Sequence, residues 1–218
     1  MNPSYKFYRG CYRFARAAIG ILYRLQVSGR ENIPADAVII CANHSSNFDP
    51  FLVAFAFGIN CHLHIIAKAE LFRIPLISQI LRKMGMISVN RGILDVSTIK
   101  STFRYLQKNE KVVIFPEGTR ASKDGSVSAR SGAIKLAEHA DVPIVPVYVP
   151  RRKPPFTRVH LVIGEAYRID KQESKFTSDE YTQLANALME KIKTLNPEPR
   201  GGGNELSSES GSQSTGDT

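Results

Sequence analysis

Histidine and aspartate at the spacing His44-x-x-x-x-Asp49 are the residues of this chain best suited to moving a proton. An apolar run, residues 37–42 (AVIICA), precedes them and reads as a buried strand. Pro50 and the apolar run FLVAFAFG follow, reading as a helix with Pro at its first position and Asp just before it. His44 then sits past a strand end and Asp49 at a helix start. The connection is short enough for the carboxylate to turn back on the imidazole. A carboxylate on one ring nitrogen fixes the tautomer and leaves the other nitrogen free to take a proton. Taken alone, the pair reads as an N-cap and a loop histidine, and the residues further along the chain lift it above that. Asn43-His44-Ser45 also fits a glycosylation acceptor, but nothing else in the chain points to secretion.

Three basic residues, Lys68, Arg91 and Arg120, each follow an expected strand end. Arginine suits bidentate phosphate contact, and lysine supplies a point charge. Gly118 lets the backbone beside Arg120 approach a ligand closely. Each is weak by itself, since an arginine after a strand is commonly a solvated surface group. Combined with a His–Asp pair, they describe a base beside a phosphate pocket. His62 and His64 share one strand face, but no third metal ligand stands at a suggestive spacing. No metal and no cofactor are expected.

Positioning these residues takes a folded domain. The chain has 218 residues, 43% apolar and 22% charged, which suits one globular domain with a real core. A net charge of +9 points to an anionic partner. Cys11, Cys41 and Cys61 are scattered among apolar residues without metal or redox spacing, so reduced structural thiols in a cytosolic setting are expected. The first residues lack the long apolar core of a cleavable leader. The longest stretch free of Lys, Arg, Asp and Glu, residues 50–67, is interrupted by Gly58, Asn60, His62 and His64. It reads as helix, turn and strand rather than a membrane span.

Residues 4–26 read as a basic amphipathic helix, with Phe7, Cys11, Phe14, Ala18, Ile21 and Leu25 at helical steps. Such a helix fits an in-plane membrane anchor or an ordinary helix docked on the domain. Further strands are expected at residues 27–34 (with a turn), 61–67, 85–91, 112–115, 142–148 and 159–164. Helices are expected at residues 68–84 (broken at Pro75), 94–109 and 131–140, and a last one begins at the capping box Thr177/Glu180. Pro146 marks its strand as an edge or an irregular one. Alternating strands and helices argue for an α/β fold: a largely parallel mixed sheet flanked by helices, preceded by the amphipathic segment. The expected organisation is an anchor at residues 1–26, a catalytic domain at 27–195 and a disordered tail at 196–218.

At this point the chain resembles the glycerolipid acyltransferases, most closely the bacterial 1-acyl-sn-glycerol-3-phosphate branch. Asn43, His44 and Asp49 match the first motif, and the strand ending at Arg91 the second. Phe-Pro-Glu-Gly-Thr-Arg at residues 115–120 matches the third, and Val-Pro-Ile-Val-Pro-Val at residues 142–147 the fourth. Lys68, Glu70 and Leu71 match a further element. Arg130 stands where a lysine precedes the glycine in the family, and charge is kept. The resemblance implies acyl transfer from acyl-CoA or acyl-carrier protein to the 2-hydroxyl of lysophosphatidic acid, giving phosphatidic acid. It implies His44 as general base and Asp49 as its orienter. Lys68, Arg91, Glu117, Gly118, Thr119 and Arg120 would form the acceptor site. It implies a peripheral or monotopic place on the cytoplasmic side of the cell membrane. Two rivals remain: a lipase-like hydrolase or other transferase using the same pair, and a basic module binding membrane or nucleic acid. The second explains the charge but not the ordered motifs, and no nucleic-acid partner is expected.

Overall fold

In a computed structural model, residues 3–90, 95–117, 130–170 and 175–197 are described. The chain begins with α1 (Pro3–Leu22), β1 (Tyr23–Ser28), β2 (Val38–Ala42) and α2 (Asp49–Phe57). Next come β3 (Leu63–Lys68), α3 (Pro75–Lys83), β4 (Ile87–Val89), α4 (Val96–Leu106) and β5 (Lys111–Ile114). It closes with α5 (Gly132–Ala140), β6 (Ile144–Tyr148), β7 (Thr157–Ile163) and α6 (Ser178–Thr194). The strands form one sheet in the order β1-β7-β6-β2-β5-β3-β4. Every neighbouring pair is parallel except β6 with β7.

β2 lies at the centre and is buried at every residue, as an unbroken apolar run dictates for a strand covered on both faces. Alternation sends Val38, Ile40 and Ala42 into one core with α2 and part of α1. Ile39 and Cys41 enter the other core, with α4, α5 and α6. Each fully buried Leu, Ile or Val contributes about 1.5–3 kcal/mol. At Gly29 the chain turns with φ +79, and a Cβ there would stand 1.9 Å from the Ile163 carbonyl oxygen. Only glycine fits that approach of the β1 end to β7.

Three expectations are corrected. The N-terminal helix stops at Leu22, and residues 23–26 open β1, whose Tyr23 pairs with Thr157. The strand wins because Tyr23, Leu25 and Val27 face the core, whereas a continued helix would leave one edge of β7 unpaired. Pro146 lies in an interior strand, between β2 and β7, so the edge reading is set aside and the irregular one stands. Its carbonyl accepts from Gly164, so its nitrogen also faces β7, while Pro143 and its parity serve β2. The ladder with β7 holds only Val147 and Tyr148, and the missing N–H interrupts nothing on the β2 side. Asp49 is the first residue of α2, behind Phe48 as cap, rather than the cap itself.

The face of α1 also differs. Tyr8 and Ile19 are buried, and Tyr12, Ala15 and Leu22 are partly so. Phe14 (79% exposed) and Ile21 (73% exposed) point outward. Tyrosine decides this: Tyr8 is buried and Tyr5 half-buried, and they hand their hydroxyls to the carbonyls of Cys61 and Asn60 at 3.2 and 3.0 Å.

Candidate functional site

The His44 site lies at the carboxyl ends of the parallel strands. β2 leads into α2 on one face of the sheet, and its neighbour β5 leads toward α5 on the other. Outgoing connections therefore part between β2 and β5 and leave a crevice, where open α/β sheets gather ligands. His44 follows β2, Lys68 ends β3, Glu117 follows β5, and Arg151 and Lys153 follow β6.

Asn43 locks this edge. Its side-chain amide donates to the Val149 carbonyl at 2.7 Å and its oxygen accepts from the Val149 N–H at 2.8 Å. The end of β2 is thereby stitched to the end of β6. His44 comes next, with Nδ1 3.1 Å from Asp49 Oδ2. The same oxygen accepts the Ser45 and Ser46 amides at 2.6 and 2.7 Å. A carboxylate only accepts, so His44 carries its proton on Nδ1 and Nε2 offers a lone pair. The ring is 14% exposed, while Asp49 is fully buried. Phe115 walls the imidazole, with ring centroids 4.5 Å apart.

Asp49 Oδ1 faces Lys153 Nζ at 2.9 Å, and the lysine side chain is 3% exposed. Lys153 also donates to Ser45 Oγ at 2.8 Å and to the Pro150 carbonyl. Burial would raise the Asp49 pKa. The His44 hydrogen bond, the Lys153 charge and the Ser45 amide outweigh it and hold the carboxyl below its ordinary value. Ser45 Oγ is taken up by Lys153 and the Arg151 carbonyl, which fits a bracing residue better than a nucleophile.

Glu117 is buried beneath the histidine. Its Oε2 accepts the His44 amide at 3.3 Å, and its Oε1 pairs with Arg151 at 3.3 Å. Burial pushes its pKa up, and the Arg151 charge works against that. Among the expected site residues, the structure brings His44, Asp49 and Glu117 into direct contact. Lys68 stands on the same sheet edge, with β5 between β3 and β2. Arg91, Gly118, Thr119 and Arg120 lie outside the described residues. Arg151 and Lys153 went unnamed in the sequence reading. The rule that picked out Lys68, basic residues past a strand end, also finds Arg151-Arg152-Lys153, which begin three residues past the expected strand end at Tyr148.

Comparison with known proteins agrees with this architecture. A family model described as Acyltransferase matches residues 24–150. The chain is 33% identical over 147 residues to a 1-acyl-sn-glycerol-3-phosphate acyltransferase of Borreliella burgdorferi, covering 66% of this chain and 57% of that one. It is 34% identical over 141 residues to the protein of the same description from Bacillus subtilis, covering 62% of this chain and 69% of that one. The matched part thus spans between half and two thirds, or slightly more, of these relatives. In structure, it is similar to the 1-acyl-sn-glycerophosphate acyltransferase PlsC of Thermotoga maritima. The TM-score is 0.65 at 24% identity, over 88% of this chain and 80% of that one. A match over more than half of its length, spanning the strands that carry His44, Asp49, Glu117 and Lys68, makes the chain a member of the Acyltransferase family.

Proposed function

We propose that this protein transfers a fatty acyl group from a thioester, acyl-CoA or acyl-carrier protein, to the 2-hydroxyl of 1-acyl-sn-glycerol-3-phosphate, giving phosphatidic acid. The observation that carries the reading is the His44–Asp49 contact, which leaves Nε2 of a nearly buried histidine free at a crevice in a member of this family. Relatives described as 1-acyl-sn-glycerol-3-phosphate acyltransferases support the choice of acceptor.

In this mechanism His44 Nε2 takes the acceptor hydroxyl proton. The alkoxide oxygen adds to the thioester carbonyl, and the tetrahedral intermediate collapses with cleavage of the C–S bond. The leaving thiolate recovers the proton from His44, so no covalent enzyme intermediate forms. Asp49, held by two amides and Lys153, keeps Nδ1–H in place and stabilises the transient imidazolium. Lys68, Arg91 and Arg120 hold the acceptor phosphate, with Gly118 and Thr119 shaping its pocket. Glu117 carries the His44 backbone and sets Arg151 beside it.

The protein works at a membrane surface as a peripheral enzyme on the cytoplasmic side. Exposed Phe14 and Ile21 on α1, with Leu76, Ile77 and Ile80 on the neighbouring α3, support this. So do Lys6, Arg9, Arg13 and Arg16 along α1. Among the described residues, no helix is long and apolar enough to cross a membrane.

The test is phosphatidic acid formation by the purified full chain, followed by mass spectrometry with both donors. Phosphorylated lysolipid should be acylated and the phosphate-free analogue should be a poor acceptor. Equal rates on both would remove the phosphate pocket, and release of free acid without acceptor would mark a hydrolase.

A further inference from the structure

On the opposite, amino-terminal edge of the parallel strands, two histidines and a glutamate meet. His62 and His64 flank Leu63 at the start of β3, and Glu110 immediately precedes β5. Pairing of Leu63 with Lys111 and of His64 with Val112 sets them side by side. One ligand atom from each lies within 4.8 Å of the others. Glu110 comes to the cluster through the turn after α4, where Asn109 takes φ +61 and the Glu110 amide bonds the Tyr105 carbonyl.

Both histidines are already oriented. His62 Nε2 lies 2.9 Å from the Met84 carbonyl and His64 Nδ1 lies 2.8 Å from the Gly85 carbonyl. Carbonyls only accept, so these nitrogens carry protons, and the second nitrogen of each neutral ring presents a lone pair. Gly85 adopts φ +75, and a Cβ there would stand 2.7 Å from His64 Nδ1, so glycine permits the approach that orients the ring. Tyr105 stacks on His64 at 3.6 Å.

His64 Nε2 then faces Glu110 Oε2 at 2.9 Å, and neither atom has another hydrogen-bond partner. Two acceptors at that distance need a proton or a cation between them. A proton on His64 would create an imidazolium on a side chain 2% exposed, where desolvation opposes charge, and a proton on Glu110 would neutralise a carboxyl that is 34% exposed to water. A metal ion satisfies both lone pairs and recruits His62 as well.

We infer that His62, His64 and Glu110 form a site for a divalent transition-metal ion of the zinc type. Two imidazoles and a carboxylate suit that class, with the fourth position left to water on the open side of Glu110. The Met84 and Gly85 carbonyls act as the outer acceptors that such histidines generally use. The ion would tie β3, the α4–β5 connection and the turn at residues 84–85 together. Its role is structural, because the reacting histidine lies at the other edge of the sheet.

The test uses the full chain stripped with chelator, then titrated with Zn²⁺ or Co²⁺ alone. One equivalent should bind, Co²⁺ should give the visible bands of a tetrahedral site, and Zn²⁺ should raise Tm. Glu110→Gln and His62→Asn should lose the bands and the Tm response while unfolding, metal-free, near the wild-type temperature. In wild type, Zn²⁺ should move the imidazole nitrogen resonances of both histidines, a readout that stands even where a variant fails to fold. No stoichiometric binding by folded wild type, or Co²⁺ bands unchanged in both variants, would overturn the site.

Discussion

At residue scale, the buried Lys153–Asp49 contact separates two roles for a cation beside the proposed general base. The Lys153 side chain is buried, and it faces the carboxylate that bonds His44. Lys153→Met should therefore lower kcat with little change in KM. Removing one partner of a buried pair costs about 3 kcal/mol when the other stays charged. The sign with pH follows from Asp49. Its folded-state pKa is depressed, so its stabilisation is in force above the ordinary value of 3.8 and is lost as the pH falls through the folded-state value. The denaturant midpoint gap between wild type and variant should be wide at pH 7 and narrow below pH 4. A constant gap would show that Lys153 acts by packing alone. His44→Ala should cut phosphatidic acid formation by at least about 100-fold with an unchanged circular dichroism spectrum. A variant keeping a tenth of the wild-type rate would remove His44 as base.

Much of this residue-scale arrangement was legible in the sequence, for a physical reason. His44 and Asp49 are joined by a short connection, so their contact is nearly local, as is the Thr177/Glu180 capping box that the structure reproduces. Lys153, Arg151 and Glu110 reach their partners only through the sheet. No spacing in the chain reveals that Val149 returns to Asn43 or that β5 lies beside β3.

At element scale, α1 carries two apolar faces, and the helical steps legible in the sequence, Phe14, Ala18 and Ile21 among them, fall on the face turned away from the core. Residues 4–26 could be weighed as anchor or docked helix; the docked face is the tyrosine face, and Phe14 and Ile21 are left for another surface. Removing residues 1–26 should therefore unfold the domain, since it takes away Tyr8, Ile19, Tyr23 and most of β1. Phe14→Ser with Ile21→Ser should leave the thermal transition in place and weaken vesicle co-sedimentation. Tyr8→Ala should do the reverse, costing about 3 kcal/mol as a buried aromatic truncated to a cavity. If the double variant still bound vesicles as tightly as wild type, α1 would not be the contact face.

At the scale of the whole molecule, charge and apolar exposure act on the same surface with different signatures. The net charge of +9 attracts anionic lipid, each nearby basic residue adding about 1 kcal/mol at low salt. Apolar insertion is insensitive to salt. Vesicle binding should fall when anionic lipid is replaced by neutral lipid and should persist in part at high salt. Complete release by salt would leave charge as the sole source of attachment.

β1 pairs with β7, Tyr23 with Thr157 and Ser28 with Val162, so the first strand made waits for the last strand before it has a neighbour. Synthesis runs at about 5–20 residues per second, and non-local pairing is slow to close. Through that interval the segment following α1 has no ladder to join, although α1 itself can already lean on α2. Ribosome-bound chains that stop before Thr157 should therefore be cut by protease around residues 23–28, and chains extending past Ile163 should resist. If the protein attaches to a bilayer as proposed, it would arrive with its first helix formed and its sheet still open at one edge, and attachment would precede completion of the fold.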